Sequence, residues 1–204
     1  MNRPSKIVCV GRNYRDHAKE MGNDVPTEPL IFLKPSSSII ADGEPILLPP
    51  QSSQVEHEGE IGLIIGRRLR RVTAEQTRGA VQSIVAANDV TARDLQRAEP
   101  QWTRAKGFDT FCPLGNPVAP PEDFSGLTVV TRVNGVERQR GVAADMVFSI
   151  PDVIAYISMV MTLEPGDLIL TGSPAGVGKL SAGDEVEVEI LGLSRVTNPV
   201  TVEG

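Results

Sequence analysis

The sequence predicts a β-rich α+β fold with few helices, and three observations carry that prediction. Glycine and proline are abundant, 19 and 16 of 204 residues, and they punctuate short runs rich in β-branched side chains. That is the pattern of strands separated by turns. Only two segments carry helix start signals. Asn134-Gly135 separates two strand-like runs, and Asn-Gly supplies the positive φ angles that a two-residue hairpin turn needs.

In chain order, residues 7–10, 30–33 and 46–48 read as strands. VEHEGEI, residues 55–61, runs into the apolar residues 62–65 and reads as a strand entering the interior. Side chains on a strand repeat every two residues, so Glu56, Glu58 and Glu60 are expected on one face. Thr73 followed by Gln76 offers a capping box ahead of a helix through about residue 86. Residues 128–133 and 136–139 form the arms of the Asn-Gly hairpin. Ser149 and Pro151 start a second helix with Ile150, Val153, Ile154, Ile157, Val160 and Met161 on one face, ended by Pro165-Gly166. Residues 167–171 read as another strand. DEVEVEI, residues 184–190, also spaces glutamates by two. Its other face is a clean Val186, Val188 and Ile190, so those acids are expected to face water. A single domain over residues 1–204 is the simplest arrangement at this length.

Composition narrows the function classes. With 40% hydrophobic and 23% charged residues the chain reads as an ordinary soluble protein. A net charge of −6 argues against nucleic acid as a partner. No apolar segment reaches the ~20 residues of a membrane-spanning helix. MNRPSKIVCVGRNY passes straight into a strand-like run, so no signal peptide is expected. Cys9 and Cys112 match no CxxC pattern and are expected to be reduced core residues of a cytoplasmic protein.

Several residue types point to chemistry. Unlike the later acidic strand, VEHEGEI carries His57 and Gly59 on its other face, and glycine inside a strand marks a bulge or a close approach. If Glu58 and Glu60 share a buried face, a cation keeps both ionised against desolvation and mutual repulsion. Hard oxygen donors select Mg²⁺, Mn²⁺ or Ca²⁺. A third acid is available in NDVTARD, where Asp89 or Asp94 either joins the ligands or caps a following turn. His17 and Glu20 are i, i+3 neighbours if residues 11–20 are helical. A carboxylate beside an imidazole suits a general base acting on water; a surface ion pair is the plainer reading. His57 is expected to be structural, facing away from Glu58 and Glu60. Lys106, among apolar and small residues, either meets a carboxylate or developing oxyanion or snorkels to solvent. TGSPAGVGK, residues 171–179, fails as a nucleotide loop, because Ser173 and Leu180 stand where Gly and Ser or Thr are required. Its backbone N–H groups and hydroxyls could still grip a substrate carboxylate.

Seven segments then join these pieces: GRNYRDHAKEM, EPLIFLKP, HEGEIG, NDVTARDLQ, WTRAKGFDTFCP, FSIPDVIAYIS and GDLILTGSPAGVG. In this order, and across nearly the whole chain, they resemble the fumarylacetoacetate hydrolase family, specifically its small single-domain members that act as acylpyruvases and oxaloacetate decarboxylases. The resemblance implies a mixed β-roll, a homodimer, and Mg²⁺ or Mn²⁺ held by Glu58, Glu60 and Asp89, leaving Glu56 solvated. It matches His17 and Glu20 to a water-activating dyad and Lys106 to an active-site lysine. Arg12, Arg93 and Gln96 match polar residues near the metal or substrate, and Thr171 or Ser173 matches a hydroxyl that meets the substrate carboxylate. Ser173 departs from the threonine of close relatives, and residues 22–27 fall where relatives carry a lid. The activity implied is cleavage of acylpyruvates to pyruvate and a carboxylic acid through an enolate. Oxaloacetate decarboxylation would pass through the same enolate. Isomerisation or tautomerisation of 2-hydroxy-dienoate acids and a non-catalytic metal-binding module are the alternatives.

Overall fold

The β-branched runs and glycine turns produce fifteen strands among residues 3–203, which the computed structural model describes. In order these are β1 (Ile7–Gly11), β2 (Leu30–Lys34), β3 (Ile39–Ile40), β4 (Ile46–Leu48), β5 (Val55–His57), β6 (Gly59–Ile65), β7 (Val81–Asn88) and β8 (Thr91–Ala92). They continue as β9 (Cys112–Pro113), β10 (Thr128–Val133), β11 (Val136–Val142), β12 (Leu168–Leu170), β13 (Gly178–Lys179), β14 (Glu185–Ile190) and β15 (Ser194–Val202). Four short helices interrupt them: α1 (Arg15–Glu20), α2 (Arg93–Ala98), α3 (Thr103–Lys106) and α4 (Ile150–Val160).

Two five-stranded sheets, β2-β1-β12-β6-β7 and β11-β10-β14-β15-β4, dominate the fold. Both mix orientations, since β1 runs parallel to β12 and β15 parallel to β4 while their other pairings are antiparallel. This is the mixed β-roll that the family resemblance implies. The core lies between the sheets: Ile61, Leu63 and Ile65 of β6 pack with Val129, Val188, Ile190 and Val196 of the second sheet. One side of that core is closed by Ile150, Val153, Ile154 and Ile157 of α4. The opposite face of β6 packs through Ile64 against Ile7, Cys9 and Val85. β6 is therefore apolar on both faces, as central strands are.

The Asn-Gly hairpin forms between β10 and β11, with Asn134 at φ 52° and Gly135 at φ 76°. α4 starts at the cap that the sequence marks, where Asp152 N–H donates to Ser149 Oγ at 3.4 Å. It stops at Val160, short of Pro165-Gly166, and Val160 itself is 58% exposed instead of sharing the buried face.

The helix expected over residues 73–86 does not form. The capping contact exists, with Thr73 N–H donating to Gln76 Oε1 at 2.9 Å, but it nucleates only a 3₁₀ turn at Glu75–Thr77. Gly79 at φ 69° then ends the turn, and the β-branched run beyond it extends as β7 along the whole of β6. As the strand beside β6 this segment buries most of its side chains, and burying apolar surface is the larger gain. The acids of β14 are also less solvated than expected. Glu187 and Glu189 are half-buried and bind Arg132 Nη1 across the strand pair, at 2.6 and 2.9 Å. Among the described residues no helix is long and apolar enough to cross a membrane.

Candidate active site

The strand expected to carry three acids on one face breaks at the middle acid. β5 pairs with β8 and β13 in a small three-stranded sheet, whereas β6 belongs to the first large sheet. Glu58 is the residue at which the chain changes sheets, so the two-residue period resets there. Gly59 permits the change: a Cβ at that position would lie 1.9 Å from Thr131 Oγ1 of β10. Glu56 therefore does not share one strand face with Glu58 and Glu60, and it is not the solvated acid that the resemblance left it. Glu56 is buried, because Arg93 Nε donates to it at 2.7 Å and Gln54 Nε2 at 2.6 Å.

The break delivers Glu58 and Glu60 to Asp89, which follows β7 and whose N–H donates to Glu58 O at 2.8 Å. All three acids are buried, and an oxygen of each lies within 4.8 Å of the others. Asp94, the competing third acid, is turned away: it accepts from Ser52 Oγ at 2.6 Å, Ser53 N–H at 2.8 Å and Leu95 N–H at 2.9 Å. Lys106 from α3 bridges the cluster, with Nζ 2.9 Å from Glu58 and 2.5 Å from Asp89. It is buried and paired, so the snorkelling alternative does not apply. Lys34 at the end of β2 donates to Asp89 Oδ1 at 2.7 Å, and Arg93 also binds Glu58.

Charges explain the protonation pattern. Burial acts against the Glu58 carboxylate, but Lys106 and then Arg93 outweigh it and hold Glu58 well below the usual carboxylate range. Burial also pushes Glu60 up, reinforced by Asp89 and Glu58 and only partly offset by Lys106 and by Gly172 N–H, which donates at 2.6 Å. Among the described residues Glu60 has no cation within 4 Å. A buried carboxylate without a counter-charge, beside two others with convergent oxygens, is a donor set that fits a hard divalent cation.

The cluster opens on a cavity of about 230 Å³. Glu58, Asp89, Arg93, Gln96 and Lys106 line it, together with Arg12, His17 and Ser173 from other segments. His17 of α1 is buried and its Nδ1 lies 3.3 Å from Glu20 Oε2. Glu20 in turn accepts from Gly176 N–H at 3.0 Å. The loop after β12 thus spends two of its N–H groups, those of Gly172 and Gly176, on protein carboxylates, which leaves fewer of them for a substrate. The two candidate hydroxyls also separate. Thr171 Oγ1 donates to Ile61 O at 2.9 Å inside the fold, while Ser173 faces the cavity. His57 points to the other side, its Nδ1 2.9 Å from Gln139 Oε1, and burial lowers its pKa.

Sequence reasoning missed Lys34, which sits in a quoted segment but carries no local signal, and Trp102, whose ring packs edge-on to Phe32 at 5.2 Å and under Arg12 at 5.9 Å. It also missed that Arg93 serves two glutamates at once. Met21 and, within residues 22–27, Asn23 line the cavity.

A β-roll with a buried Glu-Glu-Asp cluster facing a lysine and a paired histidine belongs to a recognisable class. Residues 6–201 match the family model described as fumarylacetoacetate (FAA) hydrolase C-terminal, and the chain is a member of that family. It is 45% identical over 198 residues to the mitochondrial oxaloacetate tautomerase of Arabidopsis thaliana, covering 94% of this chain and 89% of that one. Identity to the mitochondrial oxaloacetate decarboxylase of Dictyostelium discoideum is 43% over 195 residues, covering 92% and 89%. Among solved structures, a 5-carboxymethyl-2-hydroxymuconate delta-isomerase from Mycobacterium smegmatis superposes with a TM-score of 0.91 at 44% identity, covering 99% and 80%.

Proposed function

We propose that this chain is an enzyme acting on small 2-oxo diacids of the oxaloacetate type, interconverting their keto and enol forms and releasing CO₂ through the same enolate. Glu58, Glu60 and Asp89 are the residues that would hold Mg²⁺ or Mn²⁺. The observation that carries the reading is one small cavity lined by Glu58 and Asp89 of the three convergent carboxylates, by Lys106, and by His17 backed by Glu20. The names of the relatives support the substrate class.

When bound, the cation would act as a Lewis acid that stabilises negative charge on the 2-oxo oxygen. Glu20 holds His17 Nδ1, which leaves Nε2 as the ring nitrogen for moving a proton at C3 of the substrate. Lys106, ion-paired with Glu58 and Asp89, would place a buried ammonium beside the developing oxyanion. Ser173 meets the carboxylate next to the oxo group. Arg12 lines the cavity, and among the described residues no carboxylate lies within 4 Å of it. A free guanidinium there suits a second substrate carboxylate better than a neutral acyl chain.

Acylpyruvate hydrolysis is the second reading, favoured by the His17–Glu20 pair, which could equally activate water against the 4-oxo carbon. A panel of oxaloacetate, acylpyruvates and 2-hydroxy-dienoates with Mg²⁺ and Mn²⁺ separates the two. The expected outcome is rapid loss of oxaloacetate enol absorbance, with pyruvate appearing more slowly. Pyruvate released faster from acylpyruvates than from oxaloacetate would replace the first reading with the second. Glu60→Ala should abolish both activity and Mn²⁺-dependent thermal stabilisation; if either survives, Glu60 is not a ligand.

The wider reading is a homodimer in a reducing, cytoplasmic setting. Its support is the implied family behaviour, the apolar exposure of Met159 and Val160 at 60% and 58%, and two free buried thiols. Light scattering after gel filtration checks the dimer.

A further inference from the structure

The change of sheet at Glu58 removes two N–H groups from regular strand pairing, and side-chain amides take both. Glu58 N–H donates to Asn88 Oδ1 at 2.9 Å, and Gly59 N–H donates to Gln139 Oε1 at 3.0 Å. Gln139 belongs to β11 of the second sheet and is 1% exposed. Its amide has four hydrogen-bonding positions and fills them all. Oε1 accepts from Gly59 N–H and faces His57 Nδ1 at 2.9 Å, while Nε2 donates to Pro174 O at 2.8 Å and pairs with Ser173 Oγ at 2.7 Å.

Two of those partners have fixed polarity. A backbone N–H only donates and a backbone carbonyl only accepts, so the amide cannot be flipped. It follows that His57 Nδ1 carries a proton and that Ser173 Oγ accepts from Gln139. The Ser173 proton must then go elsewhere. Its protein acceptors, Gly59 O and Pro174 O, are distant at 3.2 and 3.4 Å. An anionic oxygen in the cavity would make a shorter and stronger charge-assisted bond.

We propose that Gln139 is a positioning residue that ties the Glu58-bearing break to the Ser173 loop and sets the Ser173 hydroxyl as a donor toward the substrate carboxylate. The proposal rests on the reading of Glu58 as a cation ligand and of Ser173 as a substrate contact. It adds that both are fixed by one side chain from the opposite sheet. Residues of this kind, which orient ligands without touching the reacting atoms, typically contribute 10–100-fold to affinity or activity.

The test uses Gln139→Met, which keeps the length of the side chain and removes its hydrogen bonds. In hydrogen exchange on the chain without divalent ions, residues 57–60 and 172–176 should both lose protection, while the hairpin turn at residues 133–136 should not. With oxaloacetate and Mn²⁺, KM should rise about 10-fold or more, and should rise by no more than roughly twofold when the same change is made in Ser173→Ala, because coupled residues are non-additive. Loss of protection in only one segment, or an equal rise in KM in both backgrounds, overturns the proposal. Should Gln139→Met fail to fold, Gln139→Glu keeps an oxygen for Gly59 N–H but no N–H for Pro174 and Ser173. Loosening is then expected at residues 172–176 alone, and equal loosening of both segments refutes the assignment. If the wild-type chain takes up no Mn²⁺ by calorimetry while both segments loosen in Gln139→Met, the cation reading fails and the tie stands.

Discussion

Lys34 shows how a single side chain can matter without announcing itself. It ends an apolar strand, and nothing near it in sequence marks it as more than a solvated lysine. In the fold its Nζ is buried between Asp89 and the Val90 carbonyl, at 2.7 and 3.3 Å. Glu56 and Arg93 form a similar case, 37 positions apart yet paired at 2.7 Å. Local pattern could offer Glu58, Glu60 and His17 only as candidates beside the plainer readings of a solvated face and a surface ion pair; the seven segments together singled them out. Local pattern offered Glu20 and Lys106 as partners but could not find Lys34 or the double role of Arg93, which arrive from distant elements. Removing one partner of a buried ion pair typically costs about 3–5 kcal/mol. Lys34→Met is therefore expected to lower the thermal midpoint strongly without divalent ion, and less so with Mn²⁺, which would restore positive charge beside Asp89. Thermal melts with and without Mn²⁺ check this; a deficit that Mn²⁺ leaves unchanged would mean the ammonium supports packing only.

At the level of elements, one of the two helix start signals opens a helix and the other does not. Ser149 caps a real helix of eleven residues, because an apolar stripe follows it. Thr73 caps only a turn, because the residues after Gly79 alternate in a way that suits the strand beside β6. α2 and α3 escaped notice because six and four residues are too few to show a period. α2 is anchored by Asp94. Burial opposes ionisation there, but hydrogen bonds from Ser52, Ser53 and Leu95 outweigh it and lower the pKa from 3.8 to about 2. A depressed folded pKa contributes stability above about pH 4 that is lost as pH falls through about 2. Asp94→Asn should thus cost about 1–2 kcal/mol at pH 7, and its deficit should narrow steadily below pH 4. Chemical denaturation at a series of pH values measures it, and a gap that stays constant down to pH 2.5 would contradict the assignment.

For the molecule as a whole, the β-rich class was legible from turns and alternation, whereas the sheet order was not. Strand neighbours such as β1 and β12 are some 160 residues apart, with Ile7 opposite Leu168, and no local rule encodes that. The seven segments carried the architecture instead, and the match over residues 6–201 agrees with them. The way the acid cluster is assembled has a further consequence, for how the chain folds. Its three anions sit at one end of a single antiparallel strand pair: Glu60 in β6, Glu58 just before it and Asp89 just after β7, with Gly59 opposite Asn88. The cations that offset them arrive from β2, α2 and α3. Pairing β6 with β7 therefore concentrates negative charge before tertiary structure can relieve it, an electrostatic brake on an early folding step. Refolding followed by stopped-flow fluorescence of Trp102 should accelerate with added salt and more steeply with millimolar Mn²⁺. If Mn²⁺ slows only unfolding, the cations are already seated when the two strands meet.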